Sequence, residues 1–461
     1  MPKNIDNIIR SSNPKPKLIK KSGISPIQIK PAKNNLKKNV ARLIRHNKNK
    51  TKSLFSIFVV LLLIFIFLFI YSKPAIGLYS FKKDGKYLIL LQNNAELRGG
   101  GGFLGSFAVV EIANNATKKY YFESNIYKKD NEYAKISTYP LPDYLAKHIG
   151  GKLGMRDSNY AADFSAAAQN VAKFYQLEYD EKVDGVIALN ASAISDLLKI
   201  TGPISGKNNS TTIDKDNFFD TLQSEIQRDY FKEEINRQLN EPKTILKEMV
   251  DPLIDKVKQV SPLTLLNYFK REISNKMITF WFDDDRQKTV EKNNWGGVIY
   301  SGKYESLFVS DTNVAGGKSS LAMIENIELI GENRKDRKRK LTIIRVHNGG
   351  TDYDSNHINR NYTRIYLPKG TNIGSIIVEG TQFTTTEYEV GDEFGKTWIG
   401  FWLNTEPKQT KTAMIEYQLP NNISSKKIII QKQPGVVFEN LKIQFGNKVL
   451  INKKMYSDLI I

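Results

Sequence analysis

A run of glycines beside a charged side chain is the part of the sequence best suited to chemistry. Arg98 comes directly before four consecutive glycines, at 99–102, and after a run of apolar residues. A guanidinium group next to the backbone N–H groups of a glycine-rich turn suits a phosphate or a carboxylate. Glu96, Arg98, Gly101 and Gly102 are therefore candidate ligand contacts. The alternative is structural: Glu96 and Arg98 pair within a loop, and the glycines permit its turn.

Two further groups of polar residues stand where they could meet Arg98. Asn93 and Asn94 end the same predicted strand, and ligands of open α/β sheets bind at strand ends. Arg156 and Asp157 precede a predicted helix and would form a polar rim opposite Arg98. In the alternative interpretation, the asparagines cap their own loop and the Arg156-Asp157 pair caps the start of the helix.

Charged loops elsewhere offer other candidates. Asn313 and Lys318 flank a Gly-Gly pair after a predicted strand, so the lysine either meets an anion or lies in a solvated loop. The three aspartates at 283–285 fit a helix start better than a metal site, because consecutive carboxylates rarely converge on one ion. The segment RKDRKRK at 334–340 is predicted to be a solvated hairpin turn.

The composition excludes several kinds of active site. The chain has no cysteine, which excludes disulfides, thiolate zinc sites and cysteine nucleophiles. His148, His347 and His357 show no metal-ligand spacing on a helix, and no Gly-x-Ser-x-Gly motif appears. The residues therefore identify no catalytic group, and they predict no cofactor.

The positive charge is concentrated at the N-terminus. Residues 1–53 hold 15 Lys or Arg and one acid, Asp6, so +14 of the net charge of +20 lies there. Nucleic-acid binding calls for a basic face on a folded module, whereas this segment contains Pro and Asn and has little periodicity. It is predicted to be a disordered cytoplasmic tail, with no nucleic-acid partner.

An apolar segment follows the tail. Residues 54–71 carry no charge, and eighteen helical residues cover about 27 Å, close to the thickness of the bilayer core. A cleaved signal peptide usually has a shorter apolar region behind a short basic stretch. We therefore predict an uncleaved transmembrane helix at 54–72. The excess of cations before it places the N-terminus in the cytoplasm and the rest of the chain, from 76 onward, outside the cell membrane.

The region outside the membrane is predicted to contain two domains. In the first, 76–319, apolar strands alternate with segments of helical period, which argues for an α/β layered architecture. A helix capped by Ser165 and another capped by Ser261 before Pro262 belong to it. The second domain, 320–461, consists of short alternating strands and polar turns, which suggests a β-sandwich. The predicted elements of the first domain are strands at 86–94, 103–115, 118–129, 183–190 and 276–282, and helices at 191–202 and within 214–273.

Several separated segments of the chain follow one another in a recognisable order. They are YLILLQNNAELRGGGGFLGSFAVVEI, RDSNYAADFSAAAQNVAKFY, VDGVIALNASAISDLLKITGPI, SDTNVAGGKSS and NYTRIYLPKGT. These segments resemble a bacterial family known as domain of unknown function 4012. The family pattern usually has Pro-Thr where Gly99-Gly100 stands here, and the family implies no settled activity.

More distantly, the order of elements resembles the LytR-CpsA-Psr envelope proteins. That resemblance implies a single-pass protein whose α/β domain holds a polyprenyl pyrophosphate, with clustered arginines on the ligand and acidic residues on a divalent metal such as magnesium. Arg98 matches the first arginine, whereas 103–106 carries Phe-Leu-Gly-Ser in place of the family's Arg and Asp. The activity that it implies is phosphotransfer.

Two functions remain as alternatives. In the first, a cell-envelope protein binds an anionic or polyprenyl-phosphate-linked glycan and acts in glycopolymer attachment; it predicts an apolar tunnel beside Arg98. In the second, the protein is a non-catalytic surface scaffold or adhesion protein that uses its β-domain. The missing Arg and Asp favour a protein that does not catalyse a reaction. The oligomeric state does not follow from the sequence.

Overall fold

The computed structural model describes much of the chain that follows the predicted membrane helix. It covers residues 84–461 except 115, 206–211, 224–248, 250–251, 254 and 351–354. The predicted tail at 1–53 and the predicted membrane helix at 54–72 lie outside the described residues. Among the helices that are described, none is long and apolar enough to cross a membrane.

A five-stranded mixed sheet forms the centre of the first region, in the order β3-β2-β1-β4-β7. Strands β1 and β4 are parallel, and the other neighbours are antiparallel. Apolar side chains point to both faces of β1: Leu88 joins one hydrophobic cluster and Ile89 another. The strands are β1 Gly85–Arg98, β2 Gly101–Ala113, β3 Ala116–Glu123, β4 Gly185–Asn190 and β7 Ile278–Phe282.

Helices cover both faces of this sheet, so the predicted mixed α/β architecture is confirmed. A two-stranded ribbon of β5 Ile204–Ser205 and β6 Thr212–Ile213 lies beside them. The helices are α1 Tyr127–Ala134, α2 Asp143–Ala146, α3 Phe164–Tyr179, α4 Ala191–Thr201, α5 Phe218–Gln223, α6 Pro262–Ser274 and α7 Arg286–Lys292, with a 3-10 helix at Met155–Tyr160.

The N-termini of two helices show which residues cap them. Ser261 caps α6 as predicted, because its side chain accepts from the backbone N–H of Thr264. The predicted cap Ser165 is wrong: Asp163 begins α3 and accepts from Ala166 N at 3.1 Å. The other oxygen of Asp163 accepts from Ile299 N at 2.8 Å, a long-range contact that no local pattern indicates.

The C-terminal region is rich in β-structure, as predicted. A seven-stranded sheet and a six-stranded sheet share one core that includes Leu307, Ile343 and Phe401. The seven-stranded order is β13-β12-β16-β10-β9-β18-β19, and the six-stranded order is β14-β15-β11-β8-β17-β20. The strands are β8 Tyr304–Asn313, β9 Met323–Gly331, β10 Lys338–His347, β11 Asn361–Pro368, β12 Asn372–Val378, β13 Thr381–Gln382, β14 Tyr388–Glu393, β15 Lys396–Trp402, β16 Thr410–Gln418, β17 Ser424–Gln431, β18 Glu439–Phe445, β19 Lys448–Met455 and β20 Leu459–Ile460.

Two features of this region refine the sequence interpretation. Strand β8 precedes residue 320, yet it pairs with β11 and β17 of the C-terminal sheets; the division into domains at 320 stays a prediction. The segment 334–340 lies at the turn between β9 and β10, as predicted. The prediction that the whole segment is solvated is wrong for Arg339. Its side chain is buried and donates to Glu305 Oε1 at 2.7 Å.

Candidate functional site

Arg98 lies at the end of β1, inside the protein. Its side chain is 1% exposed. One terminal nitrogen donates to Glu96 Oε1 at 2.8 Å, and the other donates to the backbone carbonyl of Asn313 at 2.5 Å. Asp157 Oδ1 lies 3.9 Å from the guanidinium, which packs over the ring of Phe103. Arg98 therefore links β1 of the mixed sheet to β8 of the C-terminal region.

The glycine run is packed against other backbone. A Cβ atom at Gly99 would lie 2.3 Å from the carbonyl oxygen of Tyr160, and one at Gly102 would lie 2.3 Å from backbone of Asn93. Gly101 has a φ of +128°, which disfavours any other residue. Gly101 and Gly102 also pair with β1 in the sheet. This close packing is the opposite of the apolar tunnel that the glycan-binding hypothesis predicts at this place.

The polar rim expected opposite Arg98 is close to it. Arg156 Nε lies 3.0 Å from Asp157 Oδ2 and 3.3 Å from Asp130 Oδ2. The carboxyl of Asp157 thus faces both arginines. Arg156 is partly exposed and packs over the ring of Tyr127 at 5.3 Å. The structure brings together Glu96, Arg98, Arg156 and Asp157, which we call the Arg98 cluster.

A pair of buried carboxyl groups lies behind Arg156. Burial and the neighbouring Asp130 raise the pKa of Glu178 to about 8. Burial also raises the pKa of Asp130, although Arg156 opposes the shift. Near neutral pH the pair therefore retains a proton, and the negative charge beside Arg156 is smaller than two carboxylates would give.

Asn93 and Asn313 make local contacts. Asn93 Oδ1 accepts from the N–H of Ala95 at 3.1 Å, where the pairing of β1 with β2 is irregular between Asn93 and Leu97. The side chain of Asn313 donates within its own loop, to Gly317 O at 3.0 Å. Lys318 comes directly before a 3-10 helix, Ser319–Ala322.

Three buried polar atoms at this place have no hydrogen-bond partner in the described part of the chain. They are Arg98 Nε, Asp157 Oδ1 and Asn313 Oδ1. Buried polar groups normally have a partner, so such atoms point to a bound water or ligand.

The carboxylates here do not fit a divalent metal. Glu96 and Asp157 both face Nη2 of Arg98, so a cationic side chain already lies between them. Among the described residues, no group of three His, Cys, Asp or Glu side chains has the spacing of a metal site. The aspartates at 283–285 directly precede α7, and Asp284 accepts from Arg286 at 2.8 Å.

Gln433 is a central residue that sequence reasoning missed. Its side-chain amide donates to the carbonyls of Arg98 and Asp311, each at 2.8 Å, and accepts from the N–H of Asp311 at 2.7 Å. Asp311 also pairs with buried Arg345, and that guanidinium holds the pKa of Asp311 below its usual value. No motif surrounds Gln433, so no local signal identifies it.

Comparisons with known proteins agree with part of the sequence interpretation. Fifteen solved chains match, among them a crystal structure of TagT from B. subtilis. It is 13% identical with a TM-score of 0.23, over 41% of this chain and 74% of that chain; at that score no residue role can be transferred. No curated protein matches. Residues 83–226 match the family described as protein of unknown function (DUF4012). The match confirms the predicted resemblance for the three segments within this range, and the segments at 310–320 and 361–371 lie beyond it.

Proposed function

We propose that the protein is a membrane-anchored scaffold of the bacterial cell envelope. In this proposal the tail lies in the cytoplasm, 54–72 spans the membrane, and the folded region presents its β-sandwich outside the cell without catalysing a reaction. The basic tail followed by an uncharged apolar segment supports the topology. The role as a scaffold has separate support in the structure.

The burial of Arg98 is the observation that carries the proposal. An arginine that grips a pyrophosphate needs an accessible guanidinium, whereas Arg98 is 1% exposed. Its terminal nitrogens are engaged by Glu96 and by the carbonyl of Asn313. Since these contacts join the mixed sheet to β8, a structural role for Arg98 fits a scaffold.

The charge around Arg98 also supports a role other than anion binding. Two guanidinium groups, of Arg98 and Arg156, face the carboxyl groups of Glu96, Asp130 and Asp157. Carboxyl groups outnumber the cations in this set, so the cluster carries no surplus of positive charge for a phosphate.

Substitution of Arg98 tests this role. Arg98→Gln should destabilise the protein by about 3 kcal/mol, because removing one partner of a buried pair leaves the others uncompensated. The measurement is the unfolding midpoint of the full chain in detergent. As a control, Lys288→Gln removes an ion pair that is exposed on both sides and should change stability by less than about 0.5 kcal/mol.

Mass spectrometry of the purified protein distinguishes the scaffold function from the glycan-binding function. We expect no polyprenyl phosphate or lipid-linked glycan to copurify in stoichiometric amount with the full chain in detergent. Arg156→Lys is the informative variant, because it keeps a cation beside the buried carboxyls of Asp130 and Asp157 and removes the planar fork of donors that recognises a phosphate. A lipid-linked glycan that is present in the wild type and lost in Arg156→Lys, at an unchanged unfolding midpoint, would overturn the scaffold.

The alternative is an envelope protein that binds an anionic or polyprenyl-phosphate-linked glycan at the Arg98 cluster. Arg98 Nε and Asp157 Oδ1, both buried without a partner in the described region, favour it. A phosphate oxygen could accept from the first atom only after the contacts that enclose Arg98 opened, because its side chain is 1% exposed. The copurification experiment therefore decides between the two functions.

A further inference from the structure

A cavity lies at the opposite end of β1 from the Arg98 cluster. Twelve residues of strand separate Lys86 from Arg98, which is about 40 Å at most. The cavity has a volume of ≈ 230 Å³, below the roughly 300–1,000 Å³ of pockets for drug-sized ligands. It is therefore the size for a single ring. Its polar lining consists of three tyrosines, two glutamates and a lysine: Tyr121, Tyr175, Tyr179, Glu111, Glu181 and Lys86.

The tyrosines form a rigid aromatic wall. Tyr175 and Tyr179 are one turn apart on α3, and their rings stack at 5.0 Å. Phe107 of β2 packs edge-on against both rings, at 5.7 and 5.4 Å, and is itself fully buried. Tyr121 lies beside the same phenylalanine at 6.3 Å and is 43% exposed. Three aromatic rings are thus held in place by the core and still reach the cavity.

The polar groups of the cavity suit hydroxyl ligands. Glu181 Oε2 accepts from Lys86 Nζ at 2.9 Å and from the hydroxyl of Tyr175 at 3.1 Å. The hydroxyl of Tyr179 is buried and has no partner in the described part of the chain. Burial raises the pKa of Tyr179, so this hydroxyl stays protonated and can donate. A buried donor without a partner is unfavourable, and a ligand hydroxyl that accepts from Tyr179 would remove that cost.

We infer that this cavity binds one sugar ring of a glycan. A pyranose offers C–H groups to the tyrosine rings and hydroxyls to Tyr179, Glu111 and Glu181. An anion fits less well, because two carboxylates line the cavity against one lysine, which is already paired with Glu181. An ammonium ligand also fits less well, because it would share the cavity with the ammonium group of Lys86, which repels a second cation. The inference rests on this cavity alone and stands whether or not the scaffold proposal does.

Ligand-observed NMR on the full chain tests the inference. The probes are glucose, galactose, mannose and N-acetylglucosamine, in a detergent without a sugar headgroup. At least one should bind with a millimolar dissociation constant. Tyr121→Ala should weaken that binding about tenfold or more, a loss of about 1.4 kcal/mol. Tyr456→Ala is the matched control, since Tyr456 is 47% exposed on the C-terminal region, and it should bind like the wild type.

A second variant separates binding from folding. Tyr179→Phe removes the hydroxyl and keeps the stacked ring, so the unfolding midpoint should not fall while sugar affinity drops several-fold. Binding by none of the four sugars would overturn the inference. It would also be overturned by wild-type affinity in both Tyr121→Ala and Tyr179→Phe, or by tetramethylammonium binding in preference to sugars. These readouts involve neither Arg98 nor a lipid, so they fail independently of the scaffold tests.

Discussion

At the scale of single residues, Arg98 shows how one side chain supports two interpretations. An arginine beside glycines suits a phosphate, and the donors of the same guanidinium group also suit a carboxylate and a backbone carbonyl. In the fold it contacts Glu96 and Asn313 O. The sequence places Glu96 two residues away and therefore raises the pair as an alternative. Asn313 O is 215 positions distant, beyond the reach of a local pattern.

The buried carboxyl pair gives a prediction at this scale. The pKa of Glu178 is raised from 4.5 to about 8 in the folded protein. The folded state therefore holds more protons than the unfolded state between these values, and this contribution to stability is lost as the pH rises from about 4.5 through 8. Glu178→Gln imitates the protonated form and should flatten the dependence of the unfolding midpoint on pH in that range.

The control for this measurement is Asp285→Asn, whose carboxyl lies on the surface in an exposed ion pair. It should keep the wild-type pH profile. A Glu178→Gln profile that declines as steeply as the wild type between pH 5 and 8 would show that the carboxyl pair holds no extra proton.

At the scale of elements, the turn between β1 and β2 is decided by what packs on it. The four glycines predict a tight connection, and the structure has one. Glycine is required at Gly99 and Gly100 because the backbone of another element, the 3-10 helix Met155–Tyr160, lies too close for a Cβ atom. Gly100 N donates to Asn159 O at 3.0 Å. The glycines thus serve helix-to-strand packing, which a turn motif alone does not indicate.

Gly99→Ala should destabilise the protein by about 1–3 kcal/mol, the usual cost of overpacking. The reason is that its Cβ would lie 2.3 Å from the carbonyl oxygen of Tyr160, a backbone atom that cannot turn aside. Thermal or denaturant unfolding measures the change. Gly150→Ala is the matched control, because nothing lies within 4 Å of a Cβ there. Equal stability of the two variants would mean that the glycine run is not closely packed.

At the scale of the whole molecule, buried polar contacts join the mixed sheet to the C-terminal sheets. Gln433 reaches Arg98 and Asp311 at once, and Arg364 of β11 donates to Tyr160 O at 2.7 Å. Such contacts favour a rigid arrangement, since a buried donor or acceptor left without a partner is costly. This rigidity is what the proposed scaffold would need to hold its C-terminal sheets at a fixed orientation.

The topology of the whole chain is a prediction of its own. Protease added to intact cells should degrade the folded region beyond residue 76 and leave an N-terminal epitope tag protected, because the cations before 54–72 hold the tail inside. Immunoblotting for the tag reports the protected fragment. Lysed cells are the control, in which the tag should also be lost. Cleavage of the tag with protection of the folded region would reverse the topology and end the envelope proposal.

The sequence by itself determined the family resemblance, the α/β and β-rich regions and many element positions. These depend on apolar periodicity and end signals such as Ser261-Pro262, which act over a few residues. Only the tertiary structure decided that Asp163 rather than Ser165 caps α3, that Arg98 is enclosed, and that Gln433 meets it from 335 positions away. Only the tertiary structure revealed the tyrosine-lined cavity as well, because its lining residues are distant from one another in the sequence. Contacts between distant segments depend on how the whole chain packs, and no local spacing encodes them.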